Sequence, residues 1–477
     1  MEKAPSELVK KFTEWAADNF IFIHPSLRFV QSSGGHDVYA TSDILPDTKV
    51  LSCPFDMAIT APQSKKALLT LLQGHNTTVS QTLDQWSERQ VVCVYMVLHR
   101  IWEEIKKSER QVVCVYMVLH RIWEEIKKSP LLPVLKHKPY IDMLPPSSQL
   151  CTTMYFSQEE MDLLKGSNLY QATLTRSQEW RTEWQTCVQG LSTLDADLGT
   201  ALTWEHYLEA ATHLSSRAFP STILSKTPSN TASSLSHAVL LPGIDSLNHK
   251  RATPVSWVAN VSEPLDSSTL GLHIHETILA GAECFNNYGP KPNSELILGY
   301  GFALPSNPDD TILLSLATSN TMKSSMVEIG RDAKNAERLW ELVITKVSLS
   351  LATSNTMKSS MVEIGRDAKN AERLWELVIT KVSELGGEEP VSHWEVELEA
   401  AETIMSLTEQ RMERLPDVNK ASGVDVRQPV LEMIGYYLEG QRAILTSLIE
   451  WAQVKRLEAR DKALDEGVEL ILDDEEE

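Results

Sequence analysis

Two tyrosines, an asparagine–histidine pair and a few turn-forming residues have the types and spacing to do chemistry. Tyr288 closes the run Ala280-Gly281-Ala282-Glu283-Cys284-Phe285-Asn286-Asn287-Tyr288, and Tyr300 lies in Gly299-Tyr300-Gly301-Phe302. Asp245-Ser246-Leu247-Asn248-His249 precedes them, as does Ser216-Arg217-Ala218-Phe219, and Ser33-Gly34-Gly35-His36-Asp37 lies near the start. A tyrosine hydroxyl can orient an amine by hydrogen bonds without adding a buried charge. Taken singly, each residue has a structural explanation. An isolated tyrosine is commonly packed with its hydroxyl satisfied, and Asp-x-x-Asn is commonly an Asx-turn or a cap. His273-Ile274-His275 could set two imidazoles on one face of a strand at metal-like spacing. No third ligand cluster accompanies them, so a sheet strand and no metal are expected. Six cysteines, at 53, 93, 114, 151, 187 and 284, form no C-x-x-C pair. Neither a zinc site nor a disulfide framework is expected, and a reducing compartment fits. The chain has no P-loop, Rossmann fingerprint or G-x-S-x-G elbow.

Order adds what single motifs lack. From Leu240 to Leu304 come Asp245 to His249, Glu283 to Gly289, Asn293-Ser294-Glu295-Leu296, then Gly299 to Phe302. This succession resembles the C-terminal half of a SET-domain methyltransferase of the Rubisco large-subunit methyltransferase-like group, which includes fungal ribosomal-protein lysine methyltransferases. The C-terminal string Tyr437-Leu438-Glu439-Gly440-Gln441 with Ile444-Leu445 resembles the same group. The resemblance implies transfer of a methyl group from S-adenosyl-L-methionine to a lysine of a protein substrate. It implies a ribosomal or translation protein as that substrate, and a monomeric enzyme of the cytoplasm or nucleus. Tyr288 takes the catalytic place. Tyr300, Phe302 and Arg217 line the substrate side, and Gly34, His36, Ser216, Asp245, Asn248 and His249 fall on the cofactor. Two alternatives stand beside this reading: histidine methylation, and a catalytically weak SET scaffold that only binds a partner.

The resemblance is not perfect. Ala282 and Cys284 depart from the group's G-E-E-[LV]-x-x-x-Y pattern, and Asp37 stands where the second glycine of G-x-G is expected after Gly35. Glycine lets a backbone approach a ligand closely, whereas aspartate adds bulk and negative charge. On this reading Asp37 weakens cofactor binding and Asp37→Gly tightens it.

The implied chemistry is an in-line displacement, which needs donor carbon, acceptor nitrogen and leaving sulfur on one line. It also needs a neutral amine, and a lysine of ordinary pKa is mostly charged at pH 7. A narrow apolar channel and a nearby cation both favour loss of that proton.

The elements that must position these residues follow from periodicity. Residues 9–21 predict an amphipathic helix with Val9, Phe12, Trp15 and Phe20 on one side. Strands are predicted at Val38 to Thr41, after a Gly-Gly turn, and at Lys49 to Ser52, after a Pro-Asp turn. From about 64 to 217 the pattern is helical, with a capping box at Ser157 and Glu160. Strands return from about 237 to 300, and after about 320 the chain reads as helix, ending in a long amphipathic run from Arg427 to Leu464 opened by Pro429. The fold class is α+β: a SET-domain β-fold over 20–310 with a helical insert at about 64–236. An all-α C-terminal substrate-binding domain follows over 311–465, then an acidic tail over 466–477.

Bulk properties fit. A chain of 477 residues suggests two or three domains. A formal charge of −21 argues against nonspecific nucleic-acid binding and is compatible with a basic protein partner. No run of about eighteen apolar residues occurs, so no membrane span is expected. The N-terminus lacks the apolar stretch of a secretory signal.

Two perfect tandem duplications interrupt the pattern. Ser87 to Lys107 recurs unchanged as Ser108 to Lys128, and Leu314 to Ser348 recurs as Leu349 to Ser383. A solenoid needs more, and more divergent, copies, so a very recent duplication or an error in the gene sequence is the better explanation. In the first unit Val91, Val94, Tyr95, Leu98, Ile101, Trp102 and Ile105 predict a helix. Twenty-one helical residues advance about 32 Å and leave the second stripe roughly 60 degrees out of phase. The second unit reads as a strand at Leu314 to Thr318, a linker, and a helix from Met326 to Val347.

Overall fold

A computed structural model of the chain describes residues 5–71, 76–107, 136–194, 196–231, 236–315, 361–385, 392–417 and 426–470. The chain is mixed helix and sheet and divides into two compact units: Met1–Leu150 with Arg176–Pro290, and Cys151–Thr175 with Lys291–Glu477. Two stretches that the sequence assigned to the first domain, 151–175 and 291–310, thus cluster with the C-terminal helices.

In the first unit, short antiparallel strands carry the candidate residues. β1 (Phe22–Ile23), β4 (Thr48–Pro54), β7 (Val255–Asn260) and β8 (Thr269–Ile274) form one sheet in the order β1-β4-β8-β7. β2 (Leu27–Ser32) pairs with β3 (Gly35–Ala40), and β5 (Phe219–Pro220) with β6 (Ala238–Val239). Val38, Val50, Leu51, Leu240, Leu241, Leu270, Leu272 and Ile274 are buried and supply the core. The β2–β3 register pairs Ser32 with Gly35, so Ser33-Gly34 is the hairpin turn and the strand starts at Gly35. Gly35 has φ +125°, a conformation other residues rarely adopt, and a Cβ there would sit in ordinary contact with Pro145 at 3.4 Å, so the backbone angle is what requires glycine.

The first helix runs Glu7–Asp18, capped by Ser6. Val9 and Phe12 are buried as expected, but the helix stops short of Phe20. Asn19 folds its amide back to the Trp15 carbonyl at 2.8 Å, and Phe20 takes φ +57° with 85% of its surface exposed. Phe20 therefore leaves the apolar face on which the periodicity placed it.

The helix Glu88–Lys107 carries the first copy of the first duplication, with Val91, Val94 and Tyr95 buried. The second copy lies outside the described residues. His99 on this helix is fully buried and pairs its Nδ1 with the Tyr95 carbonyl at 2.8 Å. Burial pushes its pKa down to about 4 from 6.5. Between these values the unfolded chain binds more protons than the folded one. Stability from this group is therefore present above pH 6.5 and lost as pH falls toward 4. We expect acid to remove about 3 kcal/mol through His99, and His99→Leu to flatten the slope of stability between pH 6.5 and 4. Denaturant titrations at pH 4.5 and 7 check this; equal slopes in wild type and variant would refute it.

The second unit is mostly helical. Gln158–Asp162 begins with the expected capping box at Ser157 and Glu160. The side chain of Arg427 donates to both Glu160 carboxylate oxygens, at 2.8 and 2.7 Å. Arg427 also precedes the 38-residue helix Gln428–Asp465, which has Pro429 in its first turn. The helix His393–Arg414 lies against it, and Ala400, Ile404, Ile434, Leu438, Ile444, Leu445 and Leu448 join one buried cluster. Tyr437 is fully buried, and its hydroxyl accepts from the Leu169 N–H at 3.3 Å.

Two expectations change here. Asn293–Tyr300 is a helix, not a strand. Met361–Gly365 is strand β10, paired along its length with β9 (Thr311–Ser315), and a helix begins only at Ala371. Met361 is the second-copy equivalent of Met326, from which the sequence reading started the repeat's helix; 326–347 itself lies outside the described residues. Val362 and Ile364 are the buried, alternating positions that make this stretch a strand.

β9 takes its Leu314-Ser315 end from the first copy, while β10 and all but the last two residues of the helix Ala371–Leu385 come from the second. Together they use one copy's worth of elements. Deleting one copy of each duplication, Ser108 to Lys128 and Leu349 to Ser383, leaves every one of these segments present in order. We expect the shortened chain to melt at or above the temperature of the full chain, because it loses ordering cost and no described element. A clear drop in melting temperature would refute this.

Candidate active site

In the first unit the two central motifs lie side by side. Asn286 N–H donates to the Asn248 carbonyl at 2.7 Å, Lys250 N–H donates to the Asn286 carbonyl at 3.0 Å, and His249 and Asn286 form a parallel bridge. This crossing brings Tyr288 onto His249. The Tyr288 N–H donates to His249 Nδ1 at 3.0 Å, and the two rings stack at 5.0 Å and 25°. The Tyr288 hydroxyl donates to the Leu247 carbonyl at 2.8 Å. Such a hydroxyl keeps acceptor capacity on its oxygen.

Asp245 is buried. Its carboxylate is 3% exposed and accepts from the Tyr140 hydroxyl at 2.7 Å. Arg217, at the end of the helix Trp204–Arg217, donates to the Asp245 carbonyl at 2.9 Å and reaches its carboxylate at 3.4 Å. Burial pushes the Asp245 carboxyl up, and the Arg217 charge and the Tyr140 hydroxyl oppose it. Asp245 thus anchors Arg217, whose charge also faces Tyr288. Next to Arg217, the Ser216 hydroxyl is turned to the His213 carbonyl at 3.3 Å.

The hairpin side contributes three features. Gly34, in the turn, has nothing within 4 Å of where a Cβ would stand. His36 is half-buried, with its pKa lowered by burial, and its Nε2 is buried without a hydrogen-bond partner. Asp37 accepts from Asn248 Nδ2 at 2.9 Å, and Glu283 accepts from the same nitrogen at 2.8 Å. An orphaned imidazole nitrogen and an amide oriented by two carboxylates are groups a polar ligand can complete, so the residues present fit the amino-acid end of the implied cofactor.

A search against protein-family models gives no match. Curated proteins do match. The chain is 30% identical over 315 residues to ribosomal lysine N-methyltransferase set10 of Schizosaccharomyces pombe, covering 65% of this chain and 48% of that protein. It is 29% identical over 223 residues to protein-lysine N-methyltransferase EFM1 of Saccharomyces cerevisiae, covering 40% of this chain and 37% of that one. The chain spans about half or less of the curated relatives it matches. Among solved structures, the SET domain of LSMT bound to lysine and AdoHcy superimposes with a TM-score of 0.62 at 16% identity, over 96% of this chain and 94% of that one. The chain has the SET-domain fold of LSMT.

Tyr300 and Phe302 of this SET-fold chain belong to the second unit. Tyr300 ends its helix, and Gly301 follows at φ +81°. A Cβ at Gly301 would stand 2.8 Å from the Cys151 carbonyl carbon, so glycine permits this close backbone packing as well as the left-handed turn. The Tyr300 and Phe302 rings meet edge-on at 6.2 Å, and Lys291 Nζ lies 5.6 Å from the Tyr300 ring centre. Burial pushes the Tyr300 hydroxyl up and Lys291 opposes it.

His275 is held by Asp47 at 2.6 Å and Ser256 at 2.9 Å, and no group of three metal-ligating side chains occurs among the described residues. Sequence reasoning overlooked Tyr140, whose only signal is one aromatic residue in the short helix Lys138–Met143. It placed Glu283 in a matching motif without a role of its own and read Asp37 as weakening cofactor binding.

Proposed function

We propose that this chain is an S-adenosyl-L-methionine-dependent protein-lysine N-methyltransferase. The observation that carries the reading is the crossing of Asn248-His249 with Asn286 to Tyr288, which holds a tyrosine hydroxyl and an oriented amide in one unit. The names of both relatives, each of which specifies lysine methylation, support it. A ribosomal or translation protein is the proposed substrate, as the name of the fission-yeast relative suggests. The protein is proposed to act as a monomer in the cytoplasm or nucleus; no helix among the described residues is long and apolar enough to cross a membrane.

The roles follow from the geometry. The bound cofactor would supply a methyl group on a sulfonium sulfur, which keeps the carbon–sulfur electron pair when the amine nitrogen takes the carbon. Gly34, His36, Asn248 and His249 would hold it, with Ser216 beside them. Tyr288 keeps its hydroxyl proton on Leu247 and presents oxygen lone pairs that can accept from the lysine amine and orient its lone pair. Arg217, anchored by Asp245, places a fixed positive charge near Tyr288 and helps to disfavour an ammonium there. Tyr300 and Phe302 are proposed to line the lysine channel, and the C-terminal helices over 311–465 to bind the substrate protein.

The test is incubation of the full chain with methyl-labelled cofactor and cell extract, followed by mass spectrometry of labelled bands. Label on a lysine supports the reading, and label on a histidine would reassign the acceptor. Cofactor binding without label on any protein would favour the scaffold reading.

A further inference from the structure

We infer that Asp37 and Glu283 form a carboxylate clamp that turns the Asn248 amide so that its Oδ1 receives the α-ammonium of the cofactor, which makes Asp37 a positioning residue for cofactor binding. The inference rests on the methyltransferase reading above. It reverses what the glycine-to-aspartate departure suggests from sequence.

The backbone brings the two carboxylates together. Tyr39 and Glu283 are bridge partners, Ala40 N–H donates to Ala282 at 2.9 Å, and Cys284 N–H donates to Val38 at 2.8 Å. Residues two apart on a strand share a face, and so do residues directly opposite across an antiparallel pair. Asp37, Tyr39 and Glu283 therefore point the same way. Two like charges on one face repel unless something bridges them.

The Asn248 side chain is that bridge. Its Nδ2 lies 2.9 Å from Asp37 Oδ1 and 2.8 Å from Glu283 Oε1. Ionised carboxylates only accept hydrogen bonds, so both contacts must use the NH2 group. A flipped amide would set its oxygen against two carboxylates. The orientation is forced, both N–H groups are spent, and nothing among the described residues donates to Oδ1. The backbone is fixed too, because Asn286 N–H holds the Asn248 carbonyl at 2.7 Å. Burial pushes the Glu283 carboxyl up and the Asp37 charge adds to this, while the Asn248 N–H opposes it.

An acceptor oxygen flanked by two carboxylates selects a donor that carries positive charge. S-adenosylmethionine and its demethylated product share one such donor, the α-ammonium. The sulfonium is cationic but has no N–H, and the adenine and ribose donors are neutral.

Calorimetric titration of the full chain with two ligands tests this. One is S-adenosylhomocysteine. The other is 5′-methylthioadenosine, which has the adenosine and thioether but no amino-acid end. Asp37→Gly should weaken S-adenosylhomocysteine by about tenfold and leave methylthioadenosine within about twofold. Asp37→Asn, whose carbonyl can still accept from Asn248, should recover most of the loss. Unchanged or tighter binding of S-adenosylhomocysteine by Asp37→Gly overturns the inference. So does equal weakening of both ligands, which marks a general disturbance of the pocket, and so does failure of Asp37→Asn to recover binding. If wild type binds neither ligand, the methyltransferase reading itself falls, and this inference with it.

Discussion

Tyr288→Phe is expected to lower methyl transfer by about 10²-fold or more while leaving S-adenosylhomocysteine affinity within about threefold. The ring should stay in place without its hydroxyl. It stacks on His249 at 5.0 Å, and its backbone N–H is held by His249 Nδ1 at 3.0 Å. The substitution removes one oxygen and one hydrogen bond, to the Leu247 carbonyl, which costs about 1 kcal/mol of stability. What disappears is the acceptor that would orient the amine. Without it, the lone pair of a neutral lysine samples directions off the line of displacement, and the loss falls on turnover rather than on binding. Single-turnover rates and calorimetry on wild type and variant separate the two. An unchanged rate would remove the hydroxyl from the chemistry. A parallel fall in rate and cofactor affinity would make Tyr288 a wall of the pocket.

Much of this arrangement was legible in the sequence because its signals are local. The helices Glu88–Lys107 and Gln428–Asp465 follow from apolar periodicity and from Pro429, and the Ser157–Glu160 capping box is written within four residues. The grouping of Asn248-His249 with Tyr288 came from motif order, and the crossing at Asn286 gives it a physical form. Three things were not local. Met361–Gly365 is a strand because β9 supplies a partner, and five residues with two apolar positions at its head could extend a helix equally well. Asn293–Tyr300 is too short for periodicity to decide, although Pro292 before it and Gly301 after it were start and stop signals that went unused. The role of Asp37 was out of reach, because its partner Asn248 stands 211 residues away and only the pairing of β3 with the segment around Glu283 brings them together.

Asp310→Ala is expected to destabilise the second unit by about 2–3 kcal/mol, the range for a buried donor left without its partner. Asp310 is 1% exposed. Its carboxylate accepts from the Asn293 backbone N–H at 2.7 Å, from the Asn293 side-chain amide at 3.2 Å and from Arg366 at 3.3 Å. Asn293 is itself fully buried and ties its amide to both the carbonyl and the N–H of Leu304, at 2.9 and 2.8 Å. The carboxylate therefore fixes the first residue of the helix that ends at Tyr300, together with the turn that follows it. Removing it strands the buried Asn293 N–H, while Arg366 keeps Glu439 at 2.9 Å and the Asn307 carbonyl at 2.7 Å. The helix Gln428–Asp465 makes room for this network with a glycine. A Cβ at Gly440 would overlap Asp310 Oδ2 and stand 2.9 Å from its Cγ. Gly440→Ala should then reproduce much of the Asp310→Ala loss, because the carboxylate can yield only by dropping its donors. Applied together, the two changes should cost less than the sum of the single losses, since the added methyl no longer meets a carboxylate. Chemical denaturation of wild type, both single variants and the double variant checks this. Strict additivity, or a loss below about 1 kcal/mol for Asp310→Ala, would show that the carboxylate does not hold this helix.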